Sequence, residues 1–144
     1  MANRLPGTGP VYEPNWIVKS GVVAANQSVK RGDIVTTTPA GVQSAANDAA
    51  LGITGCGQAL EDAGAGEPVQ IALSGSIIRA LCDGVVSSGQ KVKIKVTGTG
   101  KQTLTKIVAA DIPTGKGFAT FLHVESSPLT TPAESDTIGV FQLG

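Results

Sequence analysis

Residues Gln90–Thr97 alternate strictly between apolar and polar side chains, and this run constrains the fold more than any other feature. It reads QKVKIKVT, with Val92, Ile94 and Val96 on one side and lysines on the other. Because successive side chains of a strand point to opposite faces, this alternation predicts a strand with one buried face. No long window repeats apolar residues at helical spacing, and Val, Ile and Thr are plentiful. The sequence therefore predicts an all-β fold.

Other short segments of this kind recur along the chain, separated by turns that contain glycine. The expected strands are Trp16–Ala24, Ile34–Thr38, Val42–Gln43, Leu51–Ala59, Pro68–Ser74, Ser76–Leu81, Gln90–Thr97, Gln102–Ala109, Phe118–Glu125 and Asp136–Leu143. About ten short strands at this spacing favour a small barrel or sandwich. In the fifth of them we expect Val69, Ile71 and Leu73 to face the core. Gln70, Ala72 and Ser74 would then face the opposite side.

Three of the expected strands follow the same turn, a glycine and then a polar residue. The three pairs are Gly32-Asp33, Gly66-Glu67 and Gly89-Gln90. In each, the glycine is expected to supply the positive φ that carries the chain into the strand. A second similarity relates residues 50–54, ALGIT, to residues 137–141, TIGVF. We interpret both as local similarities and not as a repeat period.

The N-terminal segment differs from the rest of the chain. Residues 1–15, MANRLPGTGPVYEPN, are rich in proline and glycine, which excludes a regular helix or a central strand. They nevertheless contain Leu5, Val11 and Tyr12, and Trp16 follows directly. We therefore expect an extended N-terminal arm, residues 1–15, and then a single β domain, residues 16–144. The arm either docks on a neighbouring subunit or partner, or packs on its own domain.

Composition bounds the function. Eleven Lys and Arg balance eleven Asp and Glu, which argues against a dedicated nucleic-acid binder and suits a protein that assembles. No signal peptide and no membrane-spanning run is evident, so we expect synthesis in a cytosol. Cys56 and Cys82 lack the spacing of a metal site and are interpreted as free buried thiols, with one disulfide as the alternative.

Candidate catalytic and binding motifs are weak. A nucleophile pair would need Cys56 or Cys82 beside His123, and a surface or intersubunit histidine is the favoured interpretation. The acidic turn at residues 61–67 lacks the ligand ladder of a calcium loop. The lysines of Gln90–Thr97 are interpreted as a solvated strand face, because no aromatic residues alternate with them to stack bases. We expect no enzyme activity, no cofactor and no metal.

Residues 50–76 carry a resemblance to a known family. They read ALGITGCGQALEDAGAGEPVQIALSGS, and LGI, AGAGE and VQIALSG within them, followed by Asp83-Gly84 and residues 89–92, GQKV, form the pattern. It resembles small capsid proteins of tailed bacteriophages, the head decoration or cement proteins, over roughly residues 22–96. The resemblance implies a β-rich, often trimeric protein without catalytic residues. Such a protein sits on the outer capsid surface and stabilises junctions between major capsid subunits.

The resemblance leads to a functional expectation. We expect a structural virion protein, assembled in the host cytoplasm, whose partners are the major capsid protein and its own copies in a homotrimer. The expected partner-binding residues are Leu5, Val11, Tyr12 and Trp16, because apolar and aromatic anchors dominate interface energetics. The alternative is a carbohydrate-binding or fibre-type adhesion module, which the scarcity of aromatic residues disfavours.

Overall fold

A computed structural model describes residues 17–98, 100–124 and 137–144 of the chain. Within these residues the chain is nearly all β, which confirms the predicted fold class. The strands are β1 (Val18–Val22), β2 (Ile34–Thr38), β3 (Gly41–Ser44), β4 (Gly57–Ala59), β5 (Pro68–Ala72), β6 (Ile77–Leu81), β7 (Lys91–Val96), β8 (Gln102–Lys106), β9 (Ala119–Val124) and β10 (Ile138–Leu143). One short helix, α1 (Leu51–Thr54), precedes β4, and a 3-10 turn covers Ala109–Asp111.

The strands form two antiparallel five-stranded sheets in a sandwich-like arrangement. The first sheet has the order β1-β5-β4-β2-β3 and the second the order β6-β10-β9-β7-β8. Each sheet curls until its two edges touch at a single parallel bridge without closing into a barrel. The bridges are Val23 to Val42 in the first sheet and Cys82 to Leu104 in the second.

The two sheets have the same topology, because every strand of the second occupies the place of the strand five earlier in the first. The registers agree as well. Val22 faces Pro68 as Leu81 faces Ile138. The amide of the next residue, Val23 or Cys82, then donates to the carbonyl just before the partner strand, at 2.9 and 2.8 Å. We call residues 17–75 the first unit and residues 76–144 the second unit.

The turns before β2, β5 and β7 share one hydrogen-bond pattern. In each, the fourth residue donates its backbone N–H to the carbonyl of the first, at 3.0–3.1 Å. Its side-chain oxygen accepts the N–H of that first residue in return: Lys30 to Asp33, Gly64 to Glu67 and Ser87 to Gln90. The intervening glycines all have positive φ, as the sequence predicted. Two hydrogen bonds, one from the backbone and one to the side chain, therefore join the first and fourth residues of each turn.

The interior of each unit is built from equivalent positions. First-unit residues and their second-unit counterparts are Val23/Cys82, Val29/Val86, Val35/Val92, Val42/Leu104, Ala59/Phe121, Val69/Gly139 and Ile71/Phe141. The first-unit residues form a cluster of their own, and their counterparts, apart from Gly139, lie in a larger cluster. That larger cluster also takes in Ile34, Ala45, Leu51 and Ala72 of the first unit. The two units therefore pack against each other through the outer face of the first sheet.

This packing corrects the expected faces of β5. Val69 and Ile71 are buried in the first unit, as predicted, but Ala72 is fully buried too. The opposite face of β5 at Ala72 is covered because the second unit lies against it. Alternation identified the strand, and packing between the units buried its second face at Ala72 alone.

One other prediction is wrong, and a second, that the sequence similarities are only local, holds for one similarity and fails for the other. Leu51–Ala59 is not one strand, since Leu51–Thr54 is helical and only Gly57–Ala59 is extended. The backbone of the helix at Gly52 lies against the carbonyls of Gly115 and Gly117, and a Cβ at Gly52 would collide with both. Consequently residues 50–54 do not correspond to residues 137–141 in β10. The recurring turns before β2 and β7, by contrast, occupy equivalent places in a repeated unit, so the similarity there is more than local.

Candidate interaction surfaces

The expected partner-binding residues, Leu5, Val11, Tyr12 and Trp16, and the expected arm, residues 1–15, lie outside the described residues. They stay predictions. The surface that follows them in the chain is β1, an edge strand paired with β5.

The outer face of β1 is exposed and carries two valines. Gly21 faces inward, where an added Cβ would lie 2.6 Å from Val42. Val18 and Val22 therefore point outward, and they are 46% and 54% exposed. We call these two side chains the β1 strip. The exposed Ser20 lies between them on the same face, so the β1 strip consists of two separate valines and is not a continuous apolar patch.

Two loops of equal length lie on a second surface. The first loop, residues 45–56, joins β3 to β4, and the second loop, residues 107–118, joins β8 to β9. Ser44 and Gly57, which flank the first loop, both pair with Val35. Lys106 and Ala119, which flank the second loop, both pair with Val92 in the same way, so the loops can be aligned residue by residue. Leu51 of the first loop is buried, whereas Ile112 of the second is 68% exposed.

Ion pairs hold the second loop against the first. Lys93 Nζ lies 3.3 Å from Asp48 Oδ1 and 3.3 Å from Asp111 Oδ2. Lys116 adds longer contacts to the same two carboxylates, at 3.7 and 3.9 Å. Lys93 is thus half-buried, not a freely solvated lysine, and Lys95 pairs with Asp83 at 2.7 Å. The lysine face of β7 is largely neutralised by acidic residues of this chain.

The pKa values of these groups follow from their surroundings. The Val108 N–H donates to Asp111 Oδ2 at 2.9 Å, and this bond is the main cause that holds the pKa of Asp111 below its usual value. Partial burial opposes the effect, and Lys93 and Lys116 support it. For Lys93, desolvation alone would lower the pKa, but the hydrogen bonds and charges of Asp111 and Asp48 outweigh it and raise the pKa. Each partner therefore favours the charged form of the other.

A cavity of about 400 Å³ opens at the end of the first unit. Its lining includes Ile17, Thr37, Cys56 and Leu73, and we call it the end cavity. Ile17 is 54% exposed, and Cys56 and Leu73 are half-buried. The lining is mostly apolar, with hydroxyls from Thr37, Thr54 and Ser74 and no charged group, which suits an aliphatic side chain better than a charged ligand.

The two thiols are unpaired in the structure, as the sequence favoured. Burial raises the pKa of Cys56 to about 12 and that of Cys82 to about 11. Both are therefore neutral at neutral pH, whereas a nucleophilic cysteine needs a lowered pKa. The half-buried His123 places its Nδ1 2.8 Å from the Val124 carbonyl oxygen.

The carboxylates of the acidic turn act within the fold. Glu61 Oε2 accepts the Gln70 N–H at 3.2 Å, and Asp62 Oδ1 accepts the Arg31 N–H at 2.8 Å. Glu67 closes the turn before β5. In the described part of the chain, no group of His, Cys, Asp and Glu is placed to hold a metal ion. Neither helical segment described there has the length and apolar character needed to cross a membrane.

Three surface features were missed from the sequence: the β1 strip, the end cavity and the exposed Ile112. The signal for Ile112 was present, since DIPTG at residues 111–115 places one large apolar side chain in a turn. Compared with known proteins, the chain matches no protein-family model and no curated protein sequence.

Proposed function

We propose that the chain is a structural binding protein of a tailed-phage capsid, which lies on the outer surface and links neighbouring major capsid subunits. The observation that carries the proposal is the β1 strip, because its two exposed valines follow soon after the expected arm, residues 1–15, and Trp16. The resemblance of residues 50–76 to decoration proteins supports it independently. In this proposal the partners are the major capsid protein and further copies of the chain, as a homotrimer.

The β1 strip is suited to such a role in two respects. It lies on a strand hydrogen-bonded to β5 along its whole length, so binding need not order it. Val18 and Val22 are already about half-buried, so covering the rest of one of them contributes about 1 kcal/mol. If the chain binds surfaces that exist only in the mature shell, its binding stabilises that shell by mass action. Several linked copies would multiply each modest contact through multivalency.

Co-sedimentation with purified capsids of the phage that encodes the chain tests the proposal. A chain lacking residues 2–14 and a Val18→Lys/Val22→Lys double variant should both remain folded and fail to pellet with capsids. Val85→Lys is the matched control, because Val85 is 57% exposed but lies in the second unit. It should bind like the wild type. Saturation of capsids by the double variant would refute the role of the β1 strip, and a wild-type chain that ignores capsids would refute the function.

A further inference from the structure

The two units of the chain contact each other head to tail. The first unit contributes Ile34, Leu51 and Ala72 to the larger cluster, which is the core shared by the two units. At the equivalent places the second unit has Lys91, Pro113 and Gln142, which are all exposed. A two-fold arrangement would bury the same residues on both sides, so the contact is heterologous.

A head-to-tail contact joins two different surfaces, a donor surface on one unit and an acceptor surface on the other. In a pair of units, the acceptor surface of the first unit and the donor surface of the second are therefore left unused. The second unit offers Ile94, Phe118 and Leu143 to the shared core, and all three are buried. Their counterparts in the first unit are Thr37, Cys56 and Leu73, which line the end cavity. The first unit thus repeats the acceptor surface of the second, but nothing in the described part of the chain fills it.

The matching donor residues of the second loop are exposed. The first loop covers the second unit, with Leu51 in the core and the Asp48 N–H donating to the Ile94 carbonyl at 3.2 Å. In the second loop, Pro113 stands at the position of Leu51, and Ile112 precedes it with 68% of its surface exposed. An isoleucine held outward on a loop fixed by ion pairs offers apolar surface whose burial against a partner is favourable.

We infer that the end cavity is a docking site for the second loop of another copy of this chain. The loop would bring Ile112 and Pro113 to the cavity, and the Ala110 N–H would meet the Thr37 carbonyl as Asp48 meets Ile94 within the chain. The inference rests on the repeated fold and does not depend on the capsid proposal. A head-to-tail contact of this kind yields a closed ring or an open chain, according to its rotation.

The contact between copies is expected to be weaker than the contact within the chain. Inside the chain the Gly52 N–H donates to the Gly115 carbonyl at 2.8 Å, where only glycine fits. At the equivalent places the interface would bring together Thr114 and Ile53, so the backbones cannot approach as closely. Self-association should therefore be reversible and depend on protein concentration.

Sedimentation velocity over a series of protein concentrations tests the inference. The wild type should shift to larger species as concentration rises. Thr37→Arg, which fills the cavity, and Ile112→Lys, which charges the loop, should each weaken self-association by about tenfold or more. Val85→Lys should leave it unchanged, and circular dichroism checks that all three variants are folded. A wild type that stays monomeric throughout overturns the inference.

Mixing the two variants tests the head-to-tail geometry. Each variant keeps one intact surface, so an equimolar mixture of Thr37→Arg and Ile112→Lys should form dimers and nothing larger. A mixture that stays monomeric overturns the geometry, as does a variant that still associates with itself as the wild type does. If the full chain is monomeric and a chain lacking residues 2–14 self-associates, the N-terminal residues occupy the cavity and the inference is wrong.

Discussion

The first and second units share their strand order and their registers but fill their interiors differently. The first unit places small and aliphatic side chains at the centre, with Ala59 beside Ile71. The second places two phenylalanines there, Phe121 beside Phe141, with ring centroids 5.5 Å apart in an edge contact. The common fold is therefore maintained by the hydrogen-bond pattern and by the closed turns, while the interior side chains vary.

The larger rings of the second unit are compensated at one position. Where the first unit has Val69, the second has Gly139. A Cβ at Gly139 would lie 2.8 Å from Cys82 Sγ and 2.9 Å from Phe121. The glycine therefore leaves the space that the two phenylalanine rings occupy, as close packing requires.

The largest effect is expected from breaking this compensation. Phe121→Ala should lower the free energy of unfolding by about 3–5 kcal/mol, because it leaves a cavity that the rigid interior fills only in part. Gly139→Val should lower it by about 1–3 kcal/mol, because the added atoms collide with Phe121 and Cys82. Urea denaturation measures both values.

The double variant Phe121→Ala/Gly139→Val supplies the control, because it recreates the pair found in the first unit. Its loss should be smaller than the sum of the two single losses, since valine occupies part of the space that phenylalanine vacates. Strictly additive losses would show that the two positions do not compensate each other.

The second-largest effect is a difference in stability between substitutions at equivalent positions of the two loops. Leu51→Ala should cost about 2–5 kcal/mol, because Leu51 is buried between the units. Pro113→Ala, at the equivalent but exposed position, should change stability by no more than about 0.5 kcal/mol in the isolated chain. Thermal unfolding at low protein concentration compares them, and equal losses would contradict the assignment of equivalent positions.

The third effect concerns pH. Asp111 stands where the first loop has Ala49, so the second loop depends on charge where the first depends on apolar packing. Because the folded pKa of Asp111 is lowered, its contribution is complete above its unfolded pKa of about 3.8 and disappears as pH falls through the lower folded pKa. Asp111→Asn should therefore lower the unfolding temperature at pH 7, by less than Leu51→Ala does.

The difference between Asp111→Asn and the wild type should shrink in acid, whereas the deficit of Leu51→Ala should persist. Thermal melts from neutral pH to about pH 3 follow both variants across the unfolded pKa. A deficit of Asp111→Asn that does not change with pH would show that the carboxylate acts through packing alone.

The smallest effect is expected in the shared turns. Glu67→Gln and Gln90→Glu exchange the last residues of the turns before β5 and β7. Both keep the side-chain oxygen that accepts the N–H of the first turn residue. Each should change stability by no more than about 0.5 kcal/mol. Glu67→Ala removes the acceptor and should cost about 0.5–1.5 kcal/mol. A larger loss for glutamine than for alanine would contradict the role given to these side chains.

Local patterns predicted most of the strands and all three turns. Ile34–Thr38 was placed at its observed bounds, and Gln90–Thr97 within one residue at each end, because alternation and glycine turns act over a few residues. The repeated unit was not predicted. Its two halves are related by hydrogen-bond register, while core pairs such as Ala59/Phe121 and Val69/Gly139 have no visible sequence similarity.

The candidate surfaces were harder to predict than the strands. Exposure of Ile112 and burial of Leu51 depend on which loop meets the other unit, and that contact joins residues far apart in sequence. The burial of Ala72 has the same cause. Sequence patterns report which face of a strand is apolar, but the number of neighbours that cover a face is decided by the tertiary arrangement.

The central claim is that the exposed residues Ala110, Ile112 and Pro113 of the second loop and the end cavity are the two unused halves of a contact that the chain already makes within itself. In that internal contact Asp48 of the first loop meets Ile94 of β7 through a backbone hydrogen bond. The equivalent residues, Ala110 and Thr37, should meet between copies. Proximity of this one pair, measured in solution, tests the claim most directly.

The measurement is cross-linking between single-cysteine chains in which Cys56→Ser and Cys82→Ala remove the native thiols. One chain carries Thr37→Cys and the other Ala110→Cys. With a short bis-maleimide, an equimolar mixture should give covalent dimers that contain one chain of each kind, and neither chain alone should give them. Absence of the mixed dimer, or equal dimer formation by either chain alone, would contradict the head-to-tail contact.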